Sequence, residues 1–466
     1  MTDNENFYIY NNGTYTLQNK SLLPLKRIIR DKYKLYFNLR NKIMFPDNII
    51  TNIPSPNKEF LSEVIDYIKA YRQVNRQEID NEQHRYINFK NTLFDLEKWE
   101  PVPHTPQIRS IHQINAVYDQ NAECPKTREY LQKCELSEND VNILIEFAGY
   151  CLSTDVSAQK ALLLYGEGAN GKSTFINMLT KILSDELVSG EGFQELEEDK
   201  YSVAELYGKT LNTFPDLKDN PIRTGGDVFR RITGNDRIRA VRKYEHPFYF
   251  YNTAKLLFSA NNPPSISEVG GGYAFYRRWM LVKFPHKFED NEKDDHLLEK
   301  LTTENEKSGF INLMIDGLKR VLEKGFSYKY SVQETQMIYE CQSNNVKVFE
   351  NLCLRNCYIG EEPTEKNELY EFYIIWCEIN HLAPKKLPSF SKTMKYLERP
   401  AKETTIEGMK CRYYEDTCFD KLLLLNGDEV EAPQNEPDEN MTLEEIEAFD
   451  GTKEKFEDKL TKKVNS

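Results

Sequence analysis

Along the first 155 residues the apolar and polar positions change rhythm several times. Phe7-Tyr8-Ile9-Tyr10 and Tyr15 flank Asn11-Asn12-Gly13, a turn signal between short extended pieces. Leu22 to Arg40 is a charged helical stretch, and Pro46, Pro54 and Pro56 punctuate its exit. From 58 to 75, Phe60, Val64, Ile65, Ile68 and Tyr71 recur near one face of a helix. Residues 86–120, rich in Pro and His, predict strands and turns. Residues 126–154 return to helical spacing through Tyr130, Leu131, Ile143, Leu144, Phe147, Ala148 and Tyr150.

From residue 160 strands and helices alternate, which predicts a three-layer α/β unit. Ala161–Tyr165 is an unbroken apolar run, as a strand buried on both faces of a parallel sheet should be. Further strands are predicted at Thr210–Phe214, Phe248–Tyr251, Leu256–Ala260 and Trp279–Phe284. After about 325 the chain is helical again, through Glu340–Leu354 and an apolar face of Tyr370, Tyr373, Ile374 and Trp376. Ser389 is placed to cap a short basic helix, Phe390–Leu397, and Lys410–Tyr414 with Thr417–Phe419 could pair as a wing. The residues after 427, with Pro433, Pro437 and few aromatics, read as a flexible tail.

Composition narrows the classes. Of 466 residues, 61 are Lys or Arg and 74 are Asp or Glu, a formal charge of −13, with 28 Tyr and 25 Phe. That excludes disordered, collagenous and disulfide-rich secreted chains, and the length suggests about three domains. No apolar run is long enough for a membrane span, no signal peptide opens the chain, and nine scattered Cys suit a reducing cytosol. A cytoplasmic protein with no membrane partner is expected.

The location of the charge matters more than its sum. From Asp428 onward 13 residues are acidic and five basic, so the tail carries most of the excess. Residues 222–255 hold eight basic side chains against Asp227, Asp236 and Glu245, and 385–412 hold eight against Glu398, Glu403 and Glu407. Local field decides what a groove attracts, so a polyanion partner stays open.

Gly166-Glu167-Gly168-Ala169-Asn170-Gly171-Lys172-Ser173 fits G-x-x-x-x-G-K-[ST], between a predicted strand and an amphipathic helix carrying Phe175, Met178, Leu179, Ile182 and Leu183. Such glycines let consecutive backbone N–H groups form an anion nest at a helix N-terminus. Lys172 would reach the β- and γ-phosphates of ATP, and Ser173 would ligate Mg2+. Asp216, at the end of strand Thr210–Phe214, is the candidate metal-linked or water-polarising acid, with Asp219 a weaker second. Asn261, at the end of the next strand, is a candidate γ-phosphate sensor, and Arg277-Arg278 a candidate cation for the transition state.

Together these residues resemble the superfamily 3 helicases, in the phage, plasmid and poxvirus primase–helicase branch. Gly166–Thr174 looks like that branch's G-x-G-x-N-G-K-S-T. Gly208–Asn212 up to Asp216 resembles its Walker B region, and Ile232–Asp236 running to Lys243-Tyr244 its next motif. Leu256–Pro264 is similar to the sensor-1 strand, and Phe275–Phe284 to the arginine-finger segment, with Arg278 best aligned to the finger. Upstream, Ile87–Asn91, Pro103–Pro106 and Tyr118–Ala122 continue the likeness, which covers roughly residues 75–325. Two departures stand out: Asp216 occupies the family's usual Glu position, and the first 75 residues are too few for a primase domain, so primer synthesis is not expected.

The resemblance implies an AAA+-like α/β core with a parallel sheet between helices. The expected divisions are a small α+β region at 1–75, a helical region at 76–155, the ATPase at 156–325, a winged-helix-like domain at 326–427 and the tail at 428–466. It implies a homo-hexameric ring with ATP between subunits: Gly166, Gly168, Asn170, Gly171, Lys172, Ser173 and Thr174 bind ATP and Mg2+, and Arg278 of the next copy completes the site. A basic hairpin with Arg242, Lys243, Tyr244 and His246 near its tip would grip one strand of DNA, giving 3′→5′ unwinding of duplex DNA in viral or plasmid replication. A separate primase or polymerase is a further partner to expect. Cys353 and Cys357 on one predicted helix and a lone His381 read as packing residues, so no structural metal is expected. Two alternatives stay open: a DNA packaging or segregation P-loop ATPase, and a non-unwinding origin-binding or loader ATPase.

Overall fold

The computed structural model of the chain describes residues 2–3, 6–18, 21–44, 55–74, 76–217, 226–264, 272–355, 364–379, 382–397, 399–406 and 409–414. The expectations for Asp219, Cys357, His381, Thr417–Phe419 and the acidic tail lie outside these residues. The chain divides into two compact units. Of the described residues, the first holds those within 2–217, 226–261 and 278–329, and the second those within 262–277 and 330–414.

The first unit begins with the turn that Asn11-Asn12-Gly13 predicts. Strands Asn6–Asn11 and Thr14–Leu17 pair antiparallel around Asn12 and Gly13, both at positive φ (46° and 85°), the pattern of a tight type I′ hairpin. Helices Leu23–Met44 and Lys58–Tyr71 follow, the second capped by Asn57, whose Oδ1 accepts the Phe60 N–H at 2.9 Å. Phe7, Leu25, Ile29, Leu61 and Ile65 form the small core between them. Strands Tyr86–Asn88, Leu93–Asp95 and Glu100–Val102 make a second antiparallel sheet within the stretch read as strands and turns.

The centre of the unit is a five-stranded parallel sheet. Its order is Trp279–Lys283, Ala161–Tyr165, Lys255–Ala260, Leu211–Phe214, Val188–Ser189. Every residue of Ala161–Tyr165 and Lys255–Ala260 is buried, as strands covered on both faces must be. The fold is thus mixed α/β around a parallel sheet, as the alternation from residue 160 predicts.

Helix Lys172–Leu183 packs on this sheet through Phe175, Met178, Leu179, Ile182 and Leu183, all fully buried. Helices Glu138–Tyr150 and Glu304–Lys324 cross so closely that a Cβ on Gly149 would collide with the Met314 backbone. Helix 304–324 carries the buried Glu306, whose carboxylate accepts the backbone N–H of Lys126 and of Thr127, each at 3.0 Å. That charge sits where the N-terminus of helix Pro125–Lys133 favours an anion. Residues from the 76–155 and 156–325 stretches, Phe147 and Leu164 among them, share one continuous core.

In the second unit, helix Val332–Phe349 starts with a capping box at Ser331 and Glu334. Strand Thr364–Glu365, helices Lys366–Ile379 and Leu387–Tyr396, and the hairpin Lys402–Ile406/Met409–Tyr414 follow. Phe349, Tyr373, Trp376, Phe390 and Tyr414 pack at its centre, with Cys353 partly buried against them. Among the described residues, no helix is long and apolar enough to cross a membrane.

Candidate nucleotide site

Strand Ala161–Tyr165 runs directly into the loop Gly166–Gly171 and on into helix Lys172–Leu183. The loop needs two of its glycines, Gly166 and Gly171, for backbone reasons. Gly166 has φ 142° and an added Cβ would meet the Phe284 carbonyl oxygen at 2.5 Å; Gly171 has φ 94° beside Cys134 and Tyr130. Those values lie where only glycine is comfortable.

Lys172 is the focus. Its Nζ donates to the Gly166 carbonyl at 2.7 Å, the Glu167 carbonyl at 3.1 Å and Asn170 Oδ1 at 3.0 Å. Burial pushes the amine down to about 8, against the Asp216 carboxylate, which pulls it back up. The Asp216 carboxylate acts on the Lys172 amine through space, as the smaller of the two effects. Asn170 is buried and holds the loop from both sides, accepting from Lys172 and donating Nδ2 to the Phe284 carbonyl at 3.3 Å.

The strand ends around the loop are laced together. The Gly166 N–H donates to the Asn261 carbonyl at 3.3 Å, and the Leu217 N–H to the Ser259 carbonyl at 2.8 Å. Ser259 Oγ donates to the Pro215 carbonyl at 2.7 Å. Phe284 and Phe288 close the other side through N–H bonds to the Tyr165 and Ala169 carbonyls, both 2.8 Å. Gly166, Asp216 and Asn261 thus stand at the carboxyl ends of three strands of one parallel sheet, the edge where open α/β sheets bind ligands. Gly168, Ser173, Asp216 and Asn261 are exposed there, and Thr174 is half-buried.

Tyr130, on helix Pro125–Lys133, supports the loop from below by donating its hydroxyl to the Gly171 carbonyl at 2.8 Å. Burial holds that phenol well above its ordinary value and pushes the neighbouring Cys134 thiol up to about 12, so both are packing groups rather than reagents. Nothing in the local sequence marks Tyr130 for this, because it lies 41 residues from its partner.

Arg278 lies at the opposite end of the sheet. Its carbonyl accepts the Ala161 N–H at 2.7 Å, where the strand leading to the loop begins. It is 7% exposed, and its Nε donates to Thr233 Oγ1 at 2.9 Å within the same chain. Arg277 is half-buried.

Thr233 ends helix Asp227–Thr233, and the chain then forms the antiparallel hairpin Arg237–Ala240/Phe248–Tyr251. Lys243, Tyr244 and His246 are exposed in its loop, with Tyr244 95% exposed. Arg242 is less available than its neighbours, since its guanidinium lies 5.0 Å from the Phe248 ring and 5.7 Å from the Tyr207 ring.

The donor set suits Mg2+. That ion takes one or two protein oxygens and completes its shell with phosphate and water, and the exposed Ser173 hydroxyl and Asp216 carboxylate are hard oxygen donors of that kind. Among the described residues no group of three or more His, Cys, Asp or Glu side chains could hold a metal by itself.

Two segments match known family models. Residues 164–278 match a family of unknown function, DUF5906, and residues 48–134 match a family described as D5 N terminal like. A protein of Acanthamoeba polyphaga mimivirus named "Putative helicase L207/L206" is 22% identical over 431 residues, covering 81% of this chain and 43% of that protein. The chain therefore spans less than half the length of that relative. A solved structure described as the A form apo structure of the NrS-1 C terminal region is 12% identical, covers 88% of this chain and 93% of its own, and has a TM-score of 0.43. A second structure of that region is 11% identical, covers 79% and 92%, and has a TM-score of 0.38.

Proposed function

We propose that this chain is an ATP-driven motor of DNA replication in a virus or plasmid: a helicase of the superfamily 3 type, assembled as a ring with nucleotide between copies. The observation that carries this reading is the seating of Lys172 on Gly166, Glu167 and Asn170, within electrostatic reach of Asp216. A triphosphate would take over the amine from the loop carbonyls. The loop N–H groups would hold its oxygens, and Asp216 and Asn261 would orient the attacking water. Mg2+, on Ser173 and Asp216, would neutralise charge on the phosphates.

Arg278 stands just before strand Trp279–Lys283, whose neighbour Ala161–Tyr165 runs five residues before the loop, about 17 Å at the rise of a strand. Its own chain's triphosphate is beyond it, which favours action on a neighbouring copy. The pair Arg277-Arg278 is assigned that duty. The exposed Lys243, Tyr244 and His246 are assigned the grip on one strand of DNA, and the second unit, whose order of helix, strand, helix, helix, hairpin supports a winged-helix reading, a contact with duplex. The mimivirus relative's name and the D5 N terminal like match ahead of the loop agree with this reading.

The test is ATP-dependent unwinding of a 3′-tailed fork by wild type and by Lys172→Ala, with oligomer mass measured alongside. Unwinding by the wild type alone, from a ring-sized assembly, is expected. DNA-stimulated hydrolysis without strand separation would replace the helicase reading with a loader, and movement along intact duplex with a packaging motor.

A further inference from the structure

The shaft of the hairpin Arg237–Ala240/Phe248–Tyr251 has two unlike faces. Ile238, Ala240 and Phe250 are buried, and the Tyr207 ring meets Phe248 and Phe250 edge-on at 5.3 and 5.5 Å. The alternate positions, Arg237, Arg239, Tyr249 and Tyr251, are all exposed. The register sets Arg237 opposite Tyr251 and Arg239 opposite Tyr249, so cations and rings alternate on a two-by-two grid. The Arg237 guanidinium lies 4.5 Å from the centroid of the diagonal Tyr249 ring.

Two large rings stand exposed on this face beside two guanidinium groups. Tyr249 and Tyr251 are 54% and 61% exposed, and none of the four positions is acidic or small. The face is therefore basic and aromatic together, the combination that tracks a phosphate backbone while stacking its bases. Same-face residues along a strand are about 6.8 Å apart. That is twice the 3.4 Å advance per nucleotide in a stacked strand, so a single strand stretched until its bases part would meet the rings base for ring.

We infer that this grid is a stacking platform for single-stranded nucleic acid. Tyr249 and Tyr251 receive bases and Arg237 and Arg239 neutralise the phosphates between them. The inference rests on the reading of the chain as a nucleic-acid motor and deepens it, moving half of the grip from the exposed tip to the shaft.

The test is a binding titration of the full chain with an oligothymidylate and with an abasic oligonucleotide of the same length, at several salt concentrations. Tyr249→Ala/Tyr251→Ala is expected to weaken the oligothymidylate at least tenfold and the abasic strand less than twofold. Arg237→Gln/Arg239→Gln is expected to weaken both and to flatten the salt slope by about 1.4, two phosphates' worth for a single strand. Tyr249→Phe/Tyr251→Phe keeps the rings and should bind within twofold of wild type; a loss there equal to the alanine variant would overturn stacking. Tight wild-type binding left unchanged in both double variants would overturn the platform while sparing the motor. Wild-type binding to neither strand would overturn both. A fall in oligomer mass with DNA affinity retained would assign the face to a protein neighbour and overturn the platform.

Discussion

Arg278 and Thr233, 45 residues apart in sequence, are joined by a hydrogen bond of 2.9 Å from Nε to Oγ1. The next residue, Trp279, stacks on Phe229 of the same short helix at 4.8 Å and 15°. The base of the hairpin is thereby clamped to the strand that flanks Ala161–Tyr165. A cation proposed to fire a neighbour's ATP is also a tie between the sheet and the element proposed to hold DNA.

The two duties separate by mutation. Arg278→Ala should lower stability by about 1.5–3 kcal/mol, the range for a hydrogen bond to a charged group. Turnover should fall with nucleotide affinity unchanged. Arg277→Ala, at a half-buried position, should lower the melting temperature less than Arg278→Ala does. Each inactive variant is then mixed with Lys172→Ala. Recovered hydrolysis in a mixture identifies the arginine that acts between copies, because some interfaces regain one intact loop and one intact cation. No recovery from either mixture would end the shared-site proposal.

The amine of Lys172 sets the second prediction. Its folded value of about 8 lies below the ordinary 10.5 because burial penalises the charge. Between those limits the unfolded chain binds a proton that the folded loop has released, so this group adds stability as pH rises from 8 and withholds it below. Phosphate binding runs the other way, since it needs the ammonium. ATP affinity should be level through neutral pH and weaken above about 8, with proton uptake detectable by calorimetry in buffers of different ionisation enthalpy. Asp216 raises the amine, so Asp216→Asn should move the break to lower pH. An affinity flat to pH 9.5 would overturn the pairing of a depressed Lys172 amine with phosphate.

Much of this arrangement was legible in the sequence, for identifiable reasons. A strand buried on both faces reads as a near-continuous apolar run, and Ala161–Tyr165 and Leu256–Ala260, broken only by Ser259, announce themselves that way. Asn12-Gly13 writes its turn in two residues. Helix Arg76–Arg85 escaped because Arg-Gln-Glu-Ile-Asp-Asn-Glu-Gln-His-Arg has a single aliphatic residue and no periodic stripe. The bonds from Tyr130 to Gly171 and from Arg278 to Thr233 escaped for another reason. They join residues more than 40 apart in sequence, and no local spacing encodes such a meeting.

Asn170 is bonded on both sides, and its loss should be felt at the phosphates. Asn170→Ala removes an acceptor from Lys172 and the donor to Phe284, releasing the loop from the adjoining strand end. A weakening of ATP binding by about 1–3 kcal/mol is expected. Asn170→Asp keeps the acceptor but sets a carboxylate where phosphate oxygens would come, and should bind ATP more weakly than Asn170→Ala at low salt. Equal affinities for the two variants and wild type, by fluorescent-nucleotide titration, would mean that Asn170 only fills space.

Tyr244 combines a φ of 65° with 95% exposure. A bulky residue in the left-handed region costs about 1–2 kcal/mol, and here no burial of its ring offsets it. Strain of that kind persists where something outside the fold uses the side chain, and a base stacked on the ring is the proposed use. Asn tolerates the same backbone conformation far better. Tyr244→Asn should therefore raise the melting temperature slightly while slowing fork unwinding and weakening single-strand binding several-fold. Lys243→Ala, which leaves the strain in place, should weaken DNA binding without the gain in stability. If Tyr244→Asn unwinds a fork at the wild-type rate, the tip has no stacking role.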